Sequence, residues 1–392
     1  MPRSAPPAIE LDPRRVVRWR LVRQRLDPPA PARAMERVAT ELVGIQAQVA
    51  SSADLSLALR VRDGRSGAAT RLLAERRLVR AWAMRGTLHL FAADDYPTIA
   101  AALPSREVWR EALWLKYFGV TVREMETVIA AIGEILDDGR PRTRAELAEE
   151  LTRRVGRKAG EGVRGSWGSF LKPAAFRGLL CQAAGEGSGV TFTRPDRWLR
   201  HWRTEDLETA LRELIRRYLA AYGPATLGEI CRWWGVTPKY LRARIESLAD
   251  ETTHVSVDGH RGLLLTKDVD AIERGAPIDG AVRLIGSFDP FTVGAGLREL
   301  LIPPAHLRRV SRTAGWISPV VLIGGRAAGV WTSERARNRL RVTVDPFGKL
   351  STAERRAVGA EVERLGAIHG SDASLAFGPV FATAVPSGSA DD

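Results

Sequence analysis

Gly44-Ile45-Gln46-Ala47-Gln48 sets two carboxamides one residue apart. Each carries a donor and an acceptor, and neither titrates, so the pair can orient a polar partner without exchanging a proton. On a continuous helix they would lie about 200° apart, at ~100° per residue, and could share no site. On an extended segment a spacing of two points both the same way. The residues before them, Met35, Val38, Leu42 and Ile45, repeat at three and four and mark the buried stripe of a helix. That helix is expected to end near Gly44. Ser51-x-x-Asp54 reads as the capping signature of the next helix, ADLSLALRV. Gln46 and Gln48 are therefore expected in a tight extended connection between two helices. The N–H groups that open the second helix would favour an anion such as phosphate beside them.

Other stretches offer different chemistry. Arg308 to Pro319, RRVSRTAGWISP, reads as a basic hairpin with Trp316 near its tip and Arg308 and Arg312 beside it. Basic and apolar insertions of this kind probe the minor groove. The equal alternative is a core tryptophan in a β meander. Lys239, Arg242 and Arg244 face outward on one amphipathic segment and would bind phosphate if that segment faces DNA. Asp289, in Phe288-Asp-Pro-Phe291, is most simply turn chemistry. His89 follows Gly86 on a strand face. The string GGRAAG lacks a phosphate-loop lysine and a strand-to-helix context.

The chain has 392 residues, enough for two or three domains, and no apolar run long enough to span a membrane. The N-terminal MPRSAPPAIELDPRR has no apolar core of a secretory signal, so a cytoplasmic protein is expected. Two cysteines and six scattered histidines give no disulfide framework and no metal spacing, so neither metal nor cofactor is expected. Lys+Arg exceeds Asp+Glu by 59 to 46, a net charge of +13 that favours a polyanionic partner such as nucleic acid.

The elements that must hold these residues are signposted by Thr-x-x-Glu capping signatures at Thr121, Thr143 and Thr226. The third group is the clearest. Leu207, Leu211, Leu214, Ile215 and Tyr218 form a helical stripe that Gly223-Pro224 stops. A helix from Thr226 to Trp234, a Gly235-Val236 turn and a helix from Pro238 follow. The last helix is expected to bury Leu241, Ile245 and Leu248. HVSVDGHRGLLL then reads as a hairpin about Asp258-Gly259. Three helices and a two-stranded wing make a winged helix over residues 204–266. A second copy is expected at 121–200 and a first at 14–92, ending in LVRAWAMRGTLHLFA. From 280 to 380 the texture turns β-rich, with a closing helix from about Ala353 to Ile368. The end, VPSGSADD, reads as a disordered tail. The fold class is thus α+β: three tandem winged-helix units with a small β-rich C-terminal region. A monomer is expected, because no heptad pattern appears.

With ELVGIQAQ, WAMRGTLHLF, GSFDPFTVG…R and GWISPVVLIGGRAAGVW in this order, the chain resembles the winged-helix DNA glycosylases that unhook interstrand crosslinks. These occur in producers of azinomycin-type antibiotics and in related bacterial proteins. The likeness runs over residues 14–380. It implies a C-shaped molecule around a DNA-sized channel, with Gln46 and Gln48 as the catalytic pair and Arg85 facing DNA near them. It also implies double-stranded DNA with alkylated or crosslinked guanine as substrate. A guanine alkylated on ring nitrogen 7 is already cationic and leaves without an acid. Oriented carboxamides then suffice to hold water and stabilise an oxocarbenium-like state. The resemblance implies Gln48 for positioning water and Gln46 for orienting water or sugar. Two rival classes are a winged-helix regulator without catalysis and a resistance protein that sequesters the free alkylating compound.

Overall fold

The computed structural model describes residues 9–166, 168–184, 189–278 and 280–380. The VPSGSADD segment lies outside the described residues. Helices and strands are mixed throughout, and the three Thr-x-x-Glu signatures all start helices. Thr121, Thr143 and Thr226 each accept from the backbone N–H three residues on, while Glu124, Glu146 and Glu229 reach back. Ser351 and Glu354 do the same for the closing helix, Thr352–His369.

The C-terminal half of the three-group region follows its sequence closely. Helices Leu207–Tyr222, Leu227–Trp234 and Pro238–Glu246 precede strands Thr252–Val257 and His260–Leu265. Asp258 and Gly259 turn between the strands with φ of 52° and 75°, the left-handed pair a two-residue hairpin needs. Leu241 and Leu248 are buried as expected, and Ile245 is partly buried. Arg244 departs from its expected outward direction. It folds back onto Glu208 at 2.6 Å and over the Tyr240 ring, because Glu208 on the preceding helix offers a charge within reach.

In the middle of the chain, helices Val122–Ile135 and Arg144–Arg154 lead to strands Cys181–Ala184 and Val190–Thr193. These strands join the earlier pair Leu78–Trp82 and Leu88–Ala92 in one six-stranded sheet. Ile45–Gln46 forms one edge, pairing Ile45 with Leu90 and Gln46 with His89. The core under this sheet takes Phe91, Ile132, Phe192, Tyr218 and Trp234 together. The groups therefore share one interior.

The first helix, Pro13–Arg23, sits with the third group and not with the segment that follows it. Its Val16 and Trp19 pack with Val255, Val257, Leu264, Val269 and Ile272. The short strand Ile9–Glu10 pairs parallel with Val255–Ser256. The first group was expected to begin at residue 14 by adjacency alone, and adjacency does not choose a helix's packing partner.

The last region is a five-stranded sheet. Val282–Ile285, Val320–Ile323, Arg326–Ala336 and Arg339–Pro346 run antiparallel, and Asp372–Phe377 adds parallel to Arg339–Pro346 across the Thr352–His369 helix. Gly324-Gly325 is the turn between two of its strands, consistent with no phosphate loop there.

Candidate active site

The helix Met35–Glu41 ends in a turn through Val43 and Gly44, with φ of 54° and 92°. Glycine is needed twice at Gly44. Its φ is left-handed, and a Cβ would lie 2.4 Å from the Phe91 ring. The chain then runs extended. Ala47 is buried, its N–H donates to the Leu88 carbonyl at 2.7 Å, and Gln46 and Gln48 emerge on the opposite face. The helix Ala50–Ala58 follows at once, with Val49 as its cap residue and no side-chain cap bond. The Ser51-x-x-Asp54 reading fails here. Asp54 instead accepts from the N–H groups of Gly67 at 2.6 Å and Ala69 at 2.9 Å, capping the next helix. A buried carboxylate goes to whichever unpaired N–H groups it can reach, and these belong to a loop thirteen residues away.

Two anchors fix this connection. The Tyr222 hydroxyl donates to the Leu42 carbonyl at 2.6 Å. From the C-terminal region, Asp289 takes both Nη atoms of Arg60, at 2.8 and 2.6 Å, and the Ser56 hydroxyl at 3.0 Å. Both charged side chains are wholly buried. Asp289 also accepts from the Phe291 N–H, so its turn role stands and both of its oxygens are taken. Ser52 and Ser287 meet at 2.7 Å. The helix that follows Gln48 is thus bolted to the β-rich region along one side.

Gln46 and Gln48 line one side of a cleft of about 520 Å³. Arg85 and Thr87 extend that wall, Arg232 and Trp233 come from the third group, and Trp316 closes it from the Ser311–Ile317 hairpin. Trp316 stands edge-on to Phe288 with ring centres 5.0 Å apart. The expected hairpin is present only from Ser311 to Ile317, turning at Thr313–Gly315, while Leu307–Val310 before it is a helical turn that carries Arg308. Gly294 is packed so closely against Tyr222 that a Cβ would meet the ring at 2.3 Å.

Of the residues singled out in the sequence, the fold brings together Gln46, Gln48, Arg85 and Trp316. Lys239, Arg242 and Arg308 are exposed but do not line this cleft, and neither does half-buried Arg312. Arg232, Arg298 and Glu229 line it without having been singled out. Arg298 does end the quoted GSFDPFTVG…R segment, which was its one signal. Burial lowers the affinity of Arg298 for its proton, and neighbouring Arg232 lowers it further. Glu229 is the single acid among the described lining residues. Its carboxylate is engaged by the Thr226 N–H at 2.8 Å and hydroxyl at 3.1 Å.

His89 is buried behind the strand pair, its Nδ1 3.0 Å from the Thr87 carbonyl. Burial, reinforced by the Arg85 charge, pushes it down to about 3. A ring held neutral to that point is no proton shuttle near pH 7. It has a consequence for stability. The unfolded chain takes up a proton at His89 below its ordinary value near 6.5, while the folded chain refuses one until about 3. Stability is therefore complete above about 6.5 and falls as pH drops toward 3, by up to about 1.4 kcal/mol per unit. Urea unfolding should show His89→Gln losing about 1 kcal/mol less than wild type between about pH 7.5 and 5.5. Equal losses in both proteins would contradict this.

Among the described residues no group of three or more His, Cys, Asp or Glu could hold a metal ion, and no helix is long and apolar enough to cross a membrane. A model of the AlkZ-like DNA glycosylase family matches residues 39–368. The chain belongs to that family. A curated relative, the interstrand DNA cross-link repair glycosylase of Streptomyces sahachiroi, is 38% identical over 329 residues, which is 81% of this chain and 87% of that protein. The solved structure of the S. sahachiroi DNA glycosylase AlkZ matches with a TM-score of 0.87 at 34% identity, covering 94% of this chain and 100% of that one. The AlkZ-like chain is an enzyme, a DNA glycosylase.

Proposed function

We propose that this glycosylase is monofunctional and hydrolyses the N-glycosidic bond of cationic, alkylated guanine in duplex DNA, interstrand crosslinks included. The observation that carries the reading is the pair Gln46 and Gln48 on one face of an extended segment, opening into a cleft whose single acid is engaged in a helix cap. Cationic guanine departs as a neutral base when the C1′–N9 bond breaks. A water held by the carboxamides supplies the new C1′–O bond, and its proton passes to solvent. Nothing in this sequence of events requires a titrating side chain, in keeping with His89 held neutral. The relative named for crosslink repair supports the same substrate class.

In this reading the three helix-and-hairpin groups are tandem winged helices, spanning residues 14–92, 121–200 and 204–266, with the opening helix Pro13–Arg23 docked on the third and the β-rich region at 280–380. Together they form a C-shaped monomer around the duplex. Exposed Lys239, Arg242 and Arg308 and half-buried Arg312 meet phosphates, and the Trp316 hairpin enters the minor groove beside the cleft. Arg85, half-buried and bonded to Gln46, belongs with the chemistry rather than with the phosphate contacts. An open cleft also suits an adduct too bulky to flip into a closed pocket.

The test is incubation of the protein with duplex carrying 7-methylguanine or a nitrogen-mustard crosslink, scoring abasic sites on a denaturing gel. Abasic sites above background are expected for both. Absence of cleavage on several cationic lesions, with duplex binding retained, would favour a regulator instead.

A further inference from the structure

Arg85 occupies the turn between strands Leu78–Trp82 and Leu88–Ala92 in a left-handed conformation, φ 55°. A side chain other than glycine costs energy there. Its guanidinium donates to Gln46 Oε1 at 2.8 Å and to the Trp233 carbonyl at 3.2 Å. Among the described residues no carboxylate pairs with it, and burial lowers its proton affinity. A half-buried cation held by two neutral oxygens and no carboxylate is costly, so its placement calls for a reason beyond packing.

The geometry points to Arg85 as a positioning residue that gives the two glutamines unlike roles. This rests on the reading of Gln46 and Gln48 as the catalytic pair. A guanidinium has five donors and no acceptor, so the Gln46 atom it touches must be the carboxamide oxygen. The Gln46 –NH2 is then turned away from Arg85, free to donate into the cleft that Gln46 lines. The cation also polarises the amide and strengthens that donor. Gln48 differs. Among the described residues its Oε1 has one hydrogen-bond partner, the Leu88 N–H at a long 3.4 Å, so its oxygen keeps capacity to accept. Gln48 therefore accepts from the attacking water and aims its lone pair at C1′. Gln46 donates to an oxygen of the deoxyribose–phosphate backbone and holds the sugar still. Trp233, which takes the other end of Arg85, ties this orientation to the Leu227–Trp234 helix.

Single-turnover excision of 7-methylguanine and duplex affinity over a salt series test the assignment. Arg85→Met should slow excision about tenfold, the loss of one hydrogen bond to a charged group, with duplex affinity and its salt slope unchanged. It should add nothing further to Gln46→Ala. Gln46→Glu keeps an acceptor for Arg85 but drops the donor, and should be as slow as Gln46→Ala. If Arg85→Met fails to fold, Gln46→Glu carries the test alone. Wild-type excision by Gln46→Glu would overturn the assignment, as would losses that multiply in the Arg85→Met/Gln46→Ala pair. So would a weakened affinity with a shallower salt slope and an unchanged saturating rate, the signature of a phosphate contact. Wild-type excision by Gln46→Ala is a separate result, because it removes the catalytic reading of the glutamines itself.

Discussion

Gln48→Ala is expected to lose base excision by about a hundredfold in single-turnover rate while binding duplex as wild type does. The reasoning is geometric. Gln48 stands exposed at the end of the extended segment, its oxygen weakly held by the Leu88 N–H. Removing it deletes an acceptor but disturbs no core, since Ala47 beside it already buries the segment and its N–H keeps the Leu88 carbonyl. Thermal unfolding should therefore be unchanged. A lost rate with a lost fold would mean that Gln48 is structural. An unchanged rate would mean that water is held elsewhere.

The largest stability effect is expected at Asp289, which does not line the cleft. Asp289→Ala strands the Arg60 guanidinium in a site with no solvent exposure and leaves the Ser56 hydroxyl and the Phe291 N–H without their acceptor. Breaking one partner of a buried pair costs about 3–5 kcal/mol, a large part of a typical domain's stability of about 5–15 kcal/mol. Equilibrium unfolding in urea should show a drop of this size. Arg60→Met combined with Asp289→Leu should recover much of it, because no charge then remains buried. A loss in the double variant as large as in Asp289→Ala would mean that the pair's shape matters and not its charge. Because Arg60 lies two residues beyond the helix that opens after Gln48, excision by Asp289→Ala is expected to fall alongside stability.

These two sites show where a sequence is readable. The Thr121, Thr143 and Thr226 caps each depend on four consecutive residues, so local chemistry fixes them. The extended Gln46-Ala47-Gln48 segment was legible for the same reason: a left-handed glycine ends one helix and a spacing of two aligns the amides. The Ser51-x-x-Asp54 signature is equally local, yet Asp54 answers the Gly67 and Ala69 N–H groups. Nothing within four residues announces that competition. The same holds for Arg85 reaching Gln46 across 39 residues and Asp289 reaching Arg60 across 229. An arginine between strands reads as outward and cationic, and only the folded sheet turns it onto an amide. Likewise the chain from residue 14 was assigned to the first group by adjacency, but the docking of Pro13–Arg23 on Val255 and Leu264 follows from a surface completed 240 residues later. Asp289 was readable as turn chemistry because Pro290 follows it, while its ion pair was not.

The central claim is that neutral carboxamides suffice because the departing base brings its own positive charge. The most direct measurement compares single-turnover release of 7-methylguanine with release of hypoxanthine from otherwise identical duplexes, over about pH 6 to 9. The account predicts release of 7-methylguanine at a rate that does not vary with pH, and hypoxanthine release at background. Comparable excision of uncharged hypoxanthine, or a rate that rises and falls about a titrating group, would contradict it, since an acid or base would then be doing what Gln46 and Gln48 cannot.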